Sequence, residues 1–248
     1  MTIKVLGVCG SPIKGGNVEK LLEVTLDAAK GEKSVETEMV TLAGKEINDC
    51  NQCNWCLRKQ EEGQFCKQQD YMTELYPKVL EADVLLLATP VYIMRSTSWI
   101  YCFMDRIRAV IEGRYYRHQP LVANKVGGAI SVAYMRHAGV ETSLISLLHG
   151  MLLFNLVIAG GGIASPYGVG GLSSKTGAGG FDLSDKHVAA HDPFAIKCAN
   201  VLAKRAVHLA KIIKAGKDQV PKDEYDSWWI AHKAQYDENL PFKQDKDK

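Results

Sequence analysis

The sequence predicts a doubly wound α/β fold, a parallel sheet with helices on both faces. Two observations predict it. Continuous apolar runs of strand length recur along the chain, the pattern of strands buried on both faces. Between them lie stretches of helical period, and such alternation builds parallel strands joined by right-handed crossovers. Ile3–Val8 is the first run, and a helical pattern follows over Gly16–Lys30. Val35–Leu42 alternates apolar and polar residues and reads as the second strand. A helical pattern over Tyr71–Ala82 leads into the third strand, Val84–Ala88, and Ser98–Glu112 is the next helix. Val126–Ala133 reads as strand four, Val140–Met151 as a helix, Phe154–Ala159 as strand five and Phe194–Ala215 as the last helix. One domain is expected over 1–216, with 217–248 as a C-terminal extension. Tyr225, Trp228, Trp229 and Tyr236 in that extension suit an oligomer arm or packing onto the chain's own domain. The nine glycines of Gly160–Gly180 predict a long loop beyond strand five, either a lid or a surface insertion.

Composition narrows the function classes. The 248 residues are 46% hydrophobic and 23% charged, an ordinary globular balance. A formal net charge of +2 supplies no bulk field for nucleic acid or an anionic membrane, so a small-molecule partner is expected. The longest apolar stretch, Met151–Ala159, is interrupted by Asn155 and is well short of the roughly 20 residues of a membrane helix. The N-terminus lacks the layout of a secretory signal, and a cytoplasmic location is expected. Of seven cysteines, Cys50, Cys53, Cys56 and Cys66 crowd into one segment, which favours metal or redox chemistry over structural disulfides.

In an open α/β sheet the chemistry lies in the loops beyond the carboxyl ends of the strands. The first, Cys9-Gly10-Ser11-Pro12-Ile13-Lys14-Gly15-Gly16-Asn17, delivers the chain to a helix N-terminus. Unpaired amides and the helix dipole favour an anion there, with Ser11, Lys14 and Asn17 as side-chain partners and Gly15 and Gly16 allowing close approach. A phosphate fits, and so does a plain β–α turn capped by Asn17. The loop is neither the G-x-x-x-x-G-K-[ST] nucleotide loop nor the G-x-G-x-x-G dinucleotide fingerprint.

The second loop contains Thr89-Pro90-Val91-Tyr92-Ile93, and a downstream helix carries Phe103-Met104-Asp105-Arg106. Together with Gly10-Ser11-Pro12 and Gly16-Asn17 these residues resemble the NAD(P)H-dependent FMN reductase group of the flavodoxin-like superfamily, over roughly residues 1–160. The resemblance implies a five-stranded sheet of order 2-1-3-4-5. It implies that Ser11, Lys14, Gly15, Gly16 and Asn17 hold the FMN phosphate and that Thr89, Pro90, Val91, Tyr92 and Ile93 run along the flavin ring. Met94 and Arg95 stand where the group commonly has small residues. The third loop, from Ser131 through Arg136 and His137 to Gly139, would touch the pyrimidine edge of the ring. There Arg136 or His137 either neutralises a reduced, anionic flavin or simply faces solvent.

Cys50-x-x-Cys53-x-x-Cys56 places three thiols on one tight turn, and Cys66 follows after nine residues. Three such thiolates suit three corners of a [4Fe–4S] cubane, with a fourth cysteine closing the shell. Four thiolates also make a closed zinc site, and a metal-free thiol or redox pair is the remaining alternative. The segment resembles that of the iron–sulfur flavoproteins, a branch of the same superfamily, except that the gap before Cys66 is longer. Cys9, Cys102 and Cys198 sit in apolar patterns and are expected to be buried structural thiols.

Two activities follow. The first is an electron-transfer flavoprotein in which a cluster and FMN pass electrons between a ferredoxin-like carrier and an acceptor. The second is an NAD(P)H-dependent reductase acting on quinones, nitroaromatics or free flavin, with structural or zinc-binding cysteines. Neither needs a protein acid–base triad, so no catalytic side chain is assigned and the flavin carries the chemistry. A thiol-based sensor ranks last, because no DNA-reading element is present. In the resembling family, clusters commonly lie near the flavin of another subunit, which implies a homodimer or homotetramer with Trp99 and Tyr101 near an interface.

Overall fold

In the computed structural model, five parallel strand positions stand side by side. The structure describes all residues except 62, 117–121, 123, 181–183, 222–223 and 225–248, with backbone alone at 112–116. The aromatic residues of the expected oligomer arm lie outside the described residues. Two compact units divide the chain, Met1–Lys211 and Ile212–Lys248, and apart from the last residues of the final helix the features below belong to the first.

The order of elements is β1 (Ile3–Cys9), α1 (Asn17–Lys30), β2 (Val35–Thr41), α2 (Trp55–Arg58), α3 (Met72–Glu81), β3 (Val84–Tyr92) and β4 (Arg95–Ser96). Then come α4 (Ser98–Tyr116), β5 (Val126–Ala133), α5 (Val140–Leu153), β6 (Val157–Ile158), β7 (Val169–Leu172), α6 (Val188–His191) and α7 (Pro193–Lys217). The sheet runs β2-β1-β3-β5-β6, which is the expected 2-1-3-4-5 once the small strand β4 is set aside. No described helix is long and apolar enough to cross a membrane.

Side chains alternate between two covered faces, as a strand's period of two requires. Leu6, Val8, Leu85, Leu87 and Ala129 form one core with residues of α3, α4 and α5. The opposite face meets α1 and α7: a Cβ on Gly7 would touch Leu22 and Leu26, and one on Gly128 would touch Leu202. All eight residues of β5 are buried, which is why this stretch of the sequence is apolar without alternation.

Two strands depart from expectation. Strand five is split. Phe154 still belongs to the end of α5, its N–H donating to Gly150 O, and Asn155 turns the chain at φ 56°. Only Val157–Ile158 then pairs, with Val126 and Gly127. After nine intervening residues, 160–168, the chain returns as β7, which pairs in parallel with Ile130–Ala133 and completes the same strand position. Gly160–Gly180 is therefore not one loop. The expected third strand also runs on: β3 continues through Pro90 to Tyr92 and folds back on β4, with Val91 opposite Ser96 and Tyr92 opposite Arg95. The expected loop is a hairpin.

Candidate flavin and cysteine site

The three predicted loops converge at one edge of the sheet. Gly10 N donates to Ala88 O, joining the end of β1 to that of β3. Thr97, at the start of α4, donates from Oγ1 to Gly10 O at 2.7 Å and lies 3.3 Å from Thr89 Oγ1. The hairpin leans on the third loop so closely that a Cβ on Gly139 would come within 2.8 Å of the Met94 backbone. Ser96 Oγ meets Ser143 Oγ at 2.8 Å, and Ser146 accepts from Tyr101 OH at 2.9 Å. This buried hydroxyl network fixes hairpin, α4 and α5 to each other, and sequence reading missed Ser96, Thr97, Ser143 and Ser146. Their signal was faint: Ser143 and Ser146 are small polar residues inside an apolar helix, and Ser96 and Thr97 read as ordinary linker residues ahead of α4. Tyr101, expected at an interface, has its hydroxyl engaged within the chain.

The first loop is shaped for an anion. Gly15 takes φ +68°, a conformation glycine adopts without steric penalty, and Gly16 is the N-cap of α1. Among the described residues the backbone N–H groups of Gly15, Gly16 and Asn17 have no hydrogen-bond partner, at the positive end of a 14-residue helix. Ser11 is buried, its Oγ accepting from Ile13 N at 3.1 Å, while Lys14 is exposed beside it. Asn17 requires a correction: its side chain is engaged elsewhere, donating to Lys186 O at 3.0 Å and accepting from Ala189 N at 2.9 Å. Its backbone amide, not its carboxamide, is what remains for an anion. His187, unremarked in the sequence, reaches Gly15 O at 3.0 Å.

In the second loop Thr89 is likewise turned inward, its hydroxyl bonded to Pro90 O and Thr97, so it offers no free group to a ligand. Pro90 and Val91 are half-buried, whereas Tyr92, Ile93 and Met94 are exposed, Ile93 to 91%. The hairpin turn places Ile93 at φ 49° and Met94 at φ 63°, the two positive angles of a type I′ turn that asparagine and glycine normally supply. A β-branched residue there is strained. In the third loop Ser131 is fully buried and its Oγ has no partner among the described residues, an orphan oxygen at the level of Thr89 in the register. Arg136 lies on the turn at Gly177, with Arg136 N donating to Gly177 O at 2.7 Å, while His137 is exposed. These free amides and the orphan hydroxyl fit a ligand with a terminal phosphate and a polar ring.

The cysteine segment leaves β2 at the same sheet edge: Leu42 N donates to Cys9 O. It is then clasped against α4. Arg106 donates to Asp70 at 2.6 and 3.1 Å and to Asn48 O at 2.8 Å, tying together the two ends of the insertion. Arg106 and Asp70 side chains are 1% and 0% exposed. Burial alone would neutralise Asp70, yet hydrogen bonds from Arg106, Asn48 N and Met72 N outweigh it and hold its carboxyl below the usual range. Gln60, also buried, donates to Phe65 O at 3.0 Å and Ala109 O at 2.7 Å, and Arg108 donates to Asn54.

Inside this clasp Gln52 (φ 52°) and Asn54 (φ 57°) curl the backbone around Cys53. Cys50, Cys56 and Cys66 are half-buried and Cys53 is exposed, and all seven cysteines are free thiols. Burial pushes Cys56 up to about 11, Arg108 opposing, and the thiols of Cys66, Cys50 and Cys53 lie within its electrostatic reach. Two buried groups without a hydrogen-bond partner among the described residues, Tyr76 OH and Arg106 Nε, sit within reach of Cys66. Four soft sulfurs with cationic neighbours fit the donor chemistry of a thiolate-bound centre. Among the described residues, however, no three His, Cys, Asp or Glu side chains are gathered closely enough to hold a single metal ion. Cys102 corrects an expectation: it is half-buried, not fully, and its thiol donates to Asp49 beside Cys50.

Several known proteins are similar to this chain. The NADPH-dependent FMN reductase family matches residues 3–168. An iron–sulfur flavoprotein of Methanocaldococcus jannaschii is 32% identical over 213 residues, 86% of this chain and 100% of that protein. One from Methanosarcina thermophila is 32% identical over 158 residues, 64% of this chain and 78% of its own length. Among solved structures, RosB with bound 8-demethyl-8-formylriboflavin-5′-phosphate superposes with a TM-score of 0.71 at 15% identity, covering 97% of this chain and 89% of that one. That likeness speaks for the fold. The family match and the full-length archaeal relative together mean that the chain belongs to the NADPH-dependent FMN reductase family, in its iron–sulfur flavoprotein branch, and is an FMN-dependent oxidoreductase.

Proposed function

We propose that the protein passes electrons between a ferredoxin-like carrier and a small-molecule acceptor, using FMN in the three loops and a [4Fe–4S] cluster on Cys50, Cys53, Cys56 and Cys66. One observation carries this reading: the four thiols share a loop clasped to α4 through Arg106, and the first turn of the same helix packs on the flavin loops through Thr97 and Ile100. From Ile100 to Arg106 the helix rises only about 9 Å. When bound, FMN supplies hydride and single-electron chemistry and the cluster supplies single-electron exchange.

The chain's own part is binding and electrostatics. Gly15, Gly16 and Asn17 amides hold the phosphate dianion at the positive end of α1, with Ser11 and Lys14 beside them. Pro90, Val91, Tyr92 and Ile93 wall the ring, and the Ser131 hydroxyl and the third loop at Gly139 meet its polar edge. Arg136 brings positive charge to the side where a reduced ring is anionic, with the His137 imidazole beside it in sequence. Arg106 and Arg108 do the same for the thiolates. The free thiols suit a reducing compartment such as the cytoplasm. The exposed apolar side chains Tyr92, Ile93, Met94, Tyr134 and Met135 suit burial between subunits of a homodimer or homotetramer.

The open arrangement of the thiols among the described residues favours a second reading, an NAD(P)H-dependent reductase whose cysteines are structural, and zinc-bound cysteines are the other form of that reading. Anaerobic purification followed by iron, acid-labile sulfide, zinc and flavin analysis separates the two. Roughly four iron and four sulfide per chain, with stoichiometric FMN, are expected. Zinc without sulfide refutes the electron-transfer reading in favour of the reductase.

A further inference from the structure

We propose that His187 is a phosphate-specificity residue: it holds the Gly15–Asn17 turn in the form that presents its amides to the flavin phosphate. The inference rests on the placement of FMN in the first loop. Its ground is a contact across 172 residues of sequence, in which a ring nitrogen of His187 lies 3.0 Å from Gly15 O. In a trans peptide the C=O and the following N–H point in opposite directions. A donor that fixes the Gly15 carbonyl on the His187 side therefore fixes the Gly16 N–H on the other. Gly16 O is itself bound by Lys20 N at 3.0 Å inside the helix, which aims the Asn17 N–H outward by the same rule. Of the three amides without partners among the described residues, these anchors orient two, those of Gly16 and Asn17.

His187 does not act from a loose strand. The Asn17 carboxamide clamps its flanks, donating to Lys186 O and accepting from Ala189 N. Asp185 Oδ1 accepts from His187 N at 2.8 Å, and the other oxygen of Asp185 lies 2.8 Å from His191 Nδ1. Ala189, two residues on, packs near the sheet beside Gly171. Without this latch Gly15, at φ +68° and with no side chain, has no other described group that restrains its peptide plane. Glycine pays the largest entropy loss on ordering, so a free turn would bind phosphate more weakly.

The test compares FMN with riboflavin, which differ only in the phosphate, by fluorescence titration of the flavin-free full chain. Wild type binds FMN more tightly than riboflavin. His187→Ala lowers FMN affinity about tenfold, on the scale of one lost hydrogen bond that orders a loop, and leaves riboflavin affinity within about twofold. His187→Gln, whose amide donates from a similar reach, restores most of the FMN preference. Equal losses for both flavins, or no loss for either, overturn the role of His187. A wild type that binds both flavins equally refutes the phosphate loop itself, and the two failures are thus distinguishable. Thermal melting of each flavin-free variant within a few degrees of wild type shows that the fold is intact; an FMN-selective loss accompanied by a large melting decrease counts against a local role.

Discussion

Replacing Arg106 by methionine removes the cation from a buried pair while preserving most of the side-chain volume. Asp70 would then be left in a site where its side chain is 0% exposed, with the backbone amides of Asn48 and Met72 and, at 3.5 Å, the Asn48 carboxamide as its donors among the described residues, and Asn48 O would lose its partner as well. Breaking one side of a buried ion pair costs about 3–5 kcal/mol, and the surviving neutral donors place this case near 3. For a domain of this size that corresponds to a melting decrease of roughly 6–12 °C. Urea unfolding of the flavin-free protein measures it, in a cycle with Asp70→Asn and the double variant. The double variant should cost clearly less than the sum of the singles, because it leaves no charge unpaired. The pH dependence has a fixed sign. In wild type the Asp70 carboxyl is held low, so its contribution is present above the ordinary carboxylate pKa, about 4, and is lost as pH falls through the lower folded value. In Arg106→Met burial dominates and raises that pKa, so the deficit relative to wild type should shrink between pH 7 and pH 4. A cost below about 1 kcal/mol, or strictly additive singles, would refute the claim that this pair closes the cysteine insertion.

Gly10→Ala should weaken flavin binding and cost about 1–3 kcal/mol in a urea melt, since its Cβ would stand 2.6 Å from Ile100 Cβ and force α4 away from the first loop. Ile93→Asn with Met94→Gly should raise the melting temperature, because relieving two left-handed residues is worth about 1–2 kcal/mol; an unchanged or lower value would show that the turn is unstrained. Brief iodoacetamide treatment of metal-free protein at pH 8, read by peptide mass spectrometry, should modify exposed Cys53 first. Cys56, held near 11, and Cys9, near 12, should react late, and a uniform labelling pattern would contradict the described burial.

Periodicity revealed the main elements because their burial is simple: β5 is covered on both sides and reads as an apolar run. It failed where local conformation overrides pattern. Asn155 turns left-handed inside the expected fifth strand, and Thr89-Pro90-Val91-Tyr92 looks like a turn yet stays extended against β4 and β5. Short, glycine-bearing Val169–Leu172 carries too little apolar signal to be recognised apart from its neighbour β5. The site was legible as loops and cysteines, since glycines, proline and C-x-x-C spacing are local features. Side-chain commitments were not: that Asn17 faces residues 186–189 and that His187 reaches Gly15 are long-range facts with no nearby sequence mark, and that Thr89 faces Thr97 depends on the hairpin between them.

The division of the fifth strand position between β6 and β7 has a consequence for lineage and engineering. Pairing to β5 halts after Ala159 and resumes at Val169, so the intervening residues contribute no ladder bond to β5 through their tip. Ile163 stands fully in solvent at 102%. Added sequence at that tip lengthens a closed loop, and doubling a loop's length costs only about 0.6 kcal/mol in closure entropy. The sheet thus carries a graft point remote in sequence from the first two flavin loops and the cysteine segment, where a tag, a reporter or a whole docking module can be acquired while the strand order stays the same.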